Sequence, residues 1–140
     1  MPTRAQISAA EAYKEGHRPL TRAALAGDTE TVKALIAQGA DVNAKDDEGR
    51  TALMFAVINM HHETAQALLG SGADVNVRAN DGGTALMLAA SCGDEAGVRL
   101  LLDWGADIGG SYTATGKTAL ELAAEHGYNQ VVELLKARRT

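Results

Sequence analysis

The feature that most constrains this chain is a repeated phrase. Gly-Ala-Asp begins at three positions spaced 33 residues apart, Gly39, Gly72 and Gly105. Thr-Ala-Leu begins at Thr51, Thr84 and Thr118, and the second interval is one residue longer. We expect that extra residue in the loop around 109–112, because loops tolerate insertions. A unit of this length cannot bury an apolar face alone, so the sequence predicts stacked units that share one core.

Each unit is predicted to form two helices. Threonine at the start of Thr-Ala-Leu is a good N-cap, and Thr118 with Glu121 has the spacing of a capping box. In the first unit, Pro19 suits the first helical position. The first helix is expected to end at a glycine in a left-handed turn: Gly27, Gly93 and Gly127. Apolar residues at spacings of three and four then indicate a second helix with one buried face.

The recurrence in register resembles the ankyrin repeat family. It combines 33-residue units, the phrases Thr-Ala-Leu and Gly-Ala-Asp-Val-Asn, and a helix pair, over about Arg18 to Lys136. The resemblance implies an all-α repeat solenoid of stacked helix-turn-helix units with hairpin loops between units. It implies an N-terminal capping helix at 1–16 and four repeats, the last with a C-terminal cap, at 17–44, 45–77, 78–110 and 111–140.

Three departures from the family's usual pattern bear on stability. Its Thr-Pro-Leu-His reads Thr-Ala-Leu-Met at Thr51 and Thr84, so the histidine that ties down the threonine hydroxyl is missing. Met60 replaces the glycine between the two helices, so that turn should be strained. Gly97 lies inside a helix, where it should cost about 1 kcal/mol relative to alanine.

Both ends of the array read as caps. The segment from Ala5 to Glu15 is expected to form a helix that ends at Gly16, with Ile7 and Tyr13 covering the first unit. At the other end, Lys136 stands where earlier units have an aliphatic residue. We therefore expect a complete array that exists as a monomer.

Charge and cysteine content limit the classes of partner. The net charge of −5 argues against nucleic acid, because its binders need clustered Lys and Arg. One cysteine, Cys92, cannot form an internal disulfide. The sequence has no apolar run long enough to span a membrane and no signal peptide at its N-terminus. These observations predict a cytoplasmic protein that does not bind membranes.

The chemistry-bearing residues favour no enzyme, metal site or cofactor. His61 and His62 are adjacent and would point about 100° apart on a helix, which does not suit a shared metal ion. Cys92 has no histidine within a helical turn to act as its base. The acidic run 46–48 lacks the spacing of a calcium loop, so a solvated loop tip is the better interpretation.

The predicted function is protein binding through loop tips and the groove side of the first helices. By the resemblance, the loop-tip positions are Asp47, Glu48, Arg50, Asn80, Asp81 and Lys117. The first-helix positions are Ile58, Asn59, Ser91, Cys92, Glu125 and His126. Trp104 replaces the polar Gln38 and Ser71 of earlier units, so it is a candidate exposed contact. The alternative function is structural, through self-association at Trp104 and the convex face.

Overall fold

The computed structural model describes residues 18–138 of the chain. Within that range the chain forms eight α-helices. They are α1 (Arg18–Ala26), α2 (Thr29–Ala37), α3 (Ala52–Ile58), α4 (His62–Gly70), α5 (Ala85–Ser91), α6 (Glu95–Asp103), α7 (Ala119–Glu125) and α8 (Asn129–Arg138). The predicted N-terminal helix from Ala5 to Glu15 lies outside the described residues. In these residues no helix is long and apolar enough to cross a membrane.

The helices stack as pairs in two layers, which confirms the all-α solenoid. The first helices α1, α3, α5 and α7 pack in sequence, and the second helices α2, α4, α6 and α8 form the other layer. The core between the layers is built from the repeated aliphatic positions, including Leu53, Leu68, Leu86 and Leu101, all at most 1% exposed. The spacing that predicted one buried face per helix therefore describes the packing.

Three finger loops project beside the first helices. The first, second and third finger loops span residues 45–51, 78–84 and 111–118, and a backbone hydrogen bond closes each, from Asp46, Ala79 and Tyr112 respectively. The third closure, from Tyr112 N to Lys117 O, encloses one residue more than the other two. The expected position of the insertion, 109–112, is therefore wrong, because the extra residue lies in the tip between Thr113 and Gly116.

Asparagine side chains connect successive loops. Asn43 Nδ2 donates to Gly72 O at 3.1 Å, and Asn43 Oδ1 accepts from Asp74 N at 2.7 Å. Asn76 makes the same two bonds one period later, at 3.3 and 2.7 Å. This explains why the phrase Gly-Ala-Asp-Val-Asn recurs, since each asparagine satisfies backbone groups of the following unit.

The turns between paired helices follow the glycine pattern. Gly27, Gly93 and Gly127 have φ of 73°, 68° and 74°, the left-handed region that glycine adopts without cost. Met60 has φ of 58° and is the one non-glycine residue with positive φ in the described part of the chain. Met60 therefore has the left-handed conformation from which the strain of this turn was predicted.

The helix starts show three different outcomes. Thr118 Oγ1 accepts from Glu121 N at 3.3 Å, which is the first of the two capping-box bonds. Glu121 Oε1 accepts from the Thr118 hydroxyl at 3.3 Å and not from the Thr118 backbone, so the capping box is formed only in part. Thr84 accepts from Met87 N at 3.3 Å. Thr51 makes no capping bond, and within residues 18–138 its buried hydroxyl has no partner. Pro19 is the second residue of α1 rather than the first.

Candidate functional site: the groove between finger loops and first helices

The finger loops and the first helices face each other across a groove. Lys117 Nζ, in the third finger loop, lies 2.6 Å from Glu125 Oε1 on α7. Glu125 belongs to a register position that each first helix repeats; we call this set the groove row. Its members are Leu25, Ile58, Ser91 and Glu125. The groove row and the finger tips together form the candidate site.

The groove row changes from apolar to charged along the stack. Leu25 is 40% exposed and Ile58 is 44% exposed, which makes them two of the few large apolar side chains at the surface of the described residues. Leu25 was not among the predicted site residues. It could have been found by counting one period back from Ile58, because the repeat register places both at the same position.

The first finger loop is held by Asp46. Its carboxylate accepts from Arg50 Nε at 2.9 Å and from the backbone N–H groups of Glu48 and Arg50. Burial alone would raise the pKa of Asp46, but the bonds from Arg50 and Glu48 outweigh it and hold that pKa below its usual value. The Arg50 guanidinium also lies 5.0 Å from the centre of the Phe55 ring. Arg50 therefore fixes the loop on α3, while Asp47 and Glu48 are exposed at its tip.

The finger tips are joined edge to edge. Asn80 N donates to Glu48 O at 2.9 Å, and Asn80 Nδ2 donates to Asp47 O at 3.0 Å. Thr113 N donates to Asp81 O at 2.9 Å in the next pair of tips. Asn80 thus has a structural role at the predicted tip, and the Asp81 side chain stays exposed.

The residues at the ends of the first helices connect neighbouring helix pairs. Asn59 Nδ2 donates to Leu25 O at 2.8 Å, and Cys92 Sγ lies 4.0 Å from Ile58 O, the equivalent carbonyl. His126 instead bonds Leu122 O of its own helix at 2.8 Å. Each of these three predicted site residues is therefore engaged in a local contact.

Cys92 lies in an unreactive setting. Burial, followed by the negative charge of Asp94, raises the pKa of the Cys92 thiol. A raised pKa leaves less of the thiolate that acts as a nucleophile. Across residues 18–138, no three histidine, cysteine, aspartate or glutamate side chains are grouped to hold a metal ion.

The two adjacent histidines are used between helix pairs. His61 Nε2 lies 3.0 Å from Leu25 O. His62 Nε2 lies 2.9 and 2.7 Å from the two carboxylate oxygens of Asp94, which is only 6% exposed. Asp94 Oδ1 in turn accepts from Gly97 N at 3.0 Å and caps α6. The repeat pattern alone did not reveal this link.

The remaining predicted residues lie in different surroundings. Ser91 Oγ donates to Met87 O at 2.8 Å, inside its own helix. Trp104 caps the C-terminus of α6 and is 45% exposed, as its polar equivalents predicted. Because α6 belongs to the layer of second helices, Trp104 is not part of the groove row.

Comparisons with known proteins agree with this architecture. The family model described as ankyrin repeats (3 copies) matches residues 4–79 and 62–139. Rabankyrin-5 of Mus musculus is 47% identical over 51 residues, and its Homo sapiens counterpart is 45% identical over 51. Each match covers 36% of this chain and 4% of the relative. The Fibronectin type 3 and ankyrin repeat domains 1 protein of Mus musculus is 49% identical over 47 residues, or 33% of this chain and 14% of that protein. The chain therefore corresponds to a small part of each relative.

Proposed function

Because the chain belongs to the ankyrin repeat family, whose repeats are generally protein–protein interaction modules, we propose that it is a non-catalytic adaptor or inhibitor. It binds another protein through the groove row and the finger tips. The observation that carries the proposal is the contrast between core and groove. The core position of the first helices repeats as Leu53 and Leu86. The groove row, in contrast, changes from Ile58 to Ser91 and then to Glu125.

Local contacts divide the predicted site residues into two groups. Arg50, Asn80 and Lys117 hold the finger loops in place through hydrogen bonds or ion pairs. Asp47 and Ile58 are exposed and leave their side chains open to a partner. The proposal therefore assigns contact to the second group and positioning to the first. It also includes a cytoplasmic monomer that binds neither membranes nor nucleic acid.

The test is affinity capture from a lysate of the source organism with matched baits. The groove variant carries Asp47→Ala and Ile58→Ser, and the control carries Lys33→Ala and Gln66→Ala on the exposed faces of α2 and α4. We expect a partner that the wild type and the control retain and the groove variant loses, with helix content unchanged by circular dichroism. A partner that all three baits capture equally would contradict the groove as the binding surface.

Self-association is the second candidate, and the exposure of Trp104 favours it. A large aromatic side chain that is exposed on the layer of second helices is a suitable contact between two copies of the chain. Sedimentation equilibrium over a hundredfold concentration range separates the two functions. The proposal predicts a constant monomer mass. A mass that rises with concentration in the wild type and stays constant in Trp104→Ala would favour the structural role.

A further inference from the structure

We propose that the groove takes a basic, extended protein segment with two apolar side chains three residues apart, one over Leu25 and the other over Ile58. This inference rests on the proposed function and names the chemistry of the partner. The two halves of the groove differ in their exposed side chains. Leu25 and Ile58 are exposed and apolar in one half, whereas Ser91 and Glu125 are polar and engaged in local contacts in the other.

The apolar half of the groove lies on α1 and α3. Leu25 and Ile58 occupy equivalent positions on neighbouring helices, and Asn59 joins those helices through its bond to Leu25 O. Phe55 lies one turn before Ile58 on the same face of α3 and is half-buried. Covering these neighbouring side chains with an apolar group of a partner would remove their exposed apolar surface from water, which favours binding.

The spacing of this pair suits a segment that runs along the stack. Packed helices lie about 8–10 Å apart. A polyproline II segment has three residues per turn and rises about 3.1 Å per residue, so residues three apart point the same way at about 9 Å. A segment in this conformation places two apolar side chains over Leu25 and Ile58.

The charge of the finger tips selects a basic segment. Three of the four basic side chains of the finger loops are engaged within the protein: Arg50 with Asp46 and Glu48, Arg78 with Ser111 O at 2.6 Å, and Lys117 with Glu125. The fourth, Lys45, is exposed at the edge of the first finger loop. The carboxylates of Asp47, Glu48 and Asp81 are exposed at the tips of the first two finger loops. Complementary charge therefore places Lys or Arg of the partner beside those tips.

Exposed basic residues at the edge of the apolar half of the groove determine how the bound segment is oriented. Arg22 lies one turn before Leu25 on α1, and Lys45 lies at the start of the first finger loop. The basic groups of the partner are therefore expected beside the second and first finger tips and not over α1. This places the apolar residues on the helix side of the groove and the basic residues on the finger side.

The other half of the groove is polar. Lys117 and Glu125 are joined at 2.6 Å across the groove, and Ser91 Oγ is bonded to Met87 O. An apolar side chain laid over α7 would meet the polar atoms of this ion pair and find no exposed apolar surface like that of Leu25 or Ile58. The apolar contact is therefore confined to α1 and α3.

The test is selection of a phage-displayed random dodecapeptide library on the full chain, followed by affinity measurement with synthetic copies of the selected peptides. Two variants are compared with the wild type: Leu25→Ser with Ile58→Ser, and Asp47→Asn with Glu48→Gln and Asp81→Asn. Gln66→Ser is the control, and thermal unfolding by circular dichroism checks each fold. The amide replacements retain the shape and acceptor oxygen of each side chain, so the loop bond from Gly83 N to Asp81 is kept.

We expect selected peptides with net positive charge and two apolar residues three apart. Each groove variant should weaken their Kd by at least about tenfold, and the control should not. Raising the salt concentration should weaken binding to the wild type and have less effect on the amide variant. These results would support the proposal.

Two outcomes would overturn it. Acidic or neutral peptides that still depend on Leu25 and Ile58 would refute the basic partner and leave the proposed function standing. Peptides that bind both groove variants as well as the wild type, or no enrichment over an empty surface, would refute the groove as a peptide site. The lysate capture then decides separately whether the protein-binding function survives.

Discussion

The second and third helix pairs share the phrase Thr-Ala-Leu-Met and both have buried cores, but they differ at the N-caps of both helices and at the turn between the helices. In the third pair Thr84 caps α5, Gly93 makes the turn and Asp94 caps α6. In the second pair Thr51 makes no capping bond, Met60 makes the turn, and the N-cap residue of α4, His61, does not cap with its side chain.

The polar side chains of the second pair serve its neighbours instead. Asn59 and His61 both bond Leu25 O of the preceding pair, and His62 bonds Asp94 of the following pair. Leu53 and Leu86 are nevertheless both 1% exposed. A helix pair in a stacked array can thus lack its own helix caps if contacts to the neighbours replace them, since stability comes from interfaces as well as from units.

The largest expected effect is at Asp94, where the two pairs meet. Asp94→Ala removes the cap of α6 and both contacts with His62, so we expect the free energy of unfolding to fall by about 2 kcal/mol or more. Urea denaturation followed by circular dichroism measures it. Asparagine caps helices as well as aspartate does, so Asp94→Asn should lose less. Equal losses in the two variants would show that the His62 contact, and not the cap, carries the effect.

At position 97, glycine should give a more stable protein than alanine, which is the reverse of their usual order in a helix. An added Cβ would overlap Asp94 Oδ2 and lie 2.8 Å from Asp94 Cγ, so Gly97→Ala should displace the carboxylate from His62. We expect a loss of about 1 kcal/mol despite the better helix propensity of alanine. Gly70→Ala in α4 is the matched control, because nothing lies within 4 Å of its added Cβ, and it should gain up to about 1 kcal/mol. A gain in both variants would contradict this role for Gly97.

Helix pairs, turn glycines and the exposure of Trp104 could be predicted from the sequence because they depend on local rules. Gly27, Gly93 and Gly127 recur at one register position and all have positive φ. Such a turn can be predicted from the glycine alone, because it does not depend on contacts with distant residues. The cost of Gly97 relative to alanine was expected from propensity alone. That expectation could not include Asp94, whose carboxylate occupies the space of a side chain at 97. The relation depends on side-chain conformation across a tertiary contact.

The repeat register predicted which residues lie at the candidate site, but it did not predict which other residues of the chain their side chains contact. Ile58 and Glu125 follow from the repeat, but the ion pair between Lys117 and Glu125 depends on the path of the third finger loop. The extra residue of that loop was misplaced for the same reason, since only backbone hydrogen bonds locate it in the tip. Leu25 was missed because the first unit reads Arg-Pro-Leu at 18–20, where the other units have the phrase Thr-Ala-Leu that marks the register.

Met60 offers a smaller test of the strained turn. Met60→Gly relieves the positive φ but makes the unfolded chain more flexible, so we expect a net gain of about 0.5 kcal/mol. Gly127→Ala is the reciprocal control, since its φ is 74° and nothing lies within 4 Å of the added Cβ. It should lose about 1 kcal/mol from conformation alone. Thermal unfolding of both variants measures the pair, and a loss in Met60→Gly would show that the Met60 side chain stabilises the turn through its own contacts.

The N-cap residues of α3 and α5 allow the two pairs to be compared with one substitution, and small effects are expected there. Thr51→Val replaces a buried hydroxyl that has no partner within residues 18–138, so stability should stay level or rise by about 0.5 kcal/mol. Thr84→Val removes the bond to Met87 N and should cost about 0.5–1 kcal/mol. The test is the sign of the difference in unfolding free energy between the two variants, because valine has nearly the shape of threonine and lacks only its hydroxyl. If both variants lost the same amount, the hydroxyl of Thr51 would be hydrogen-bonded in solution and the second pair would be capped like the third.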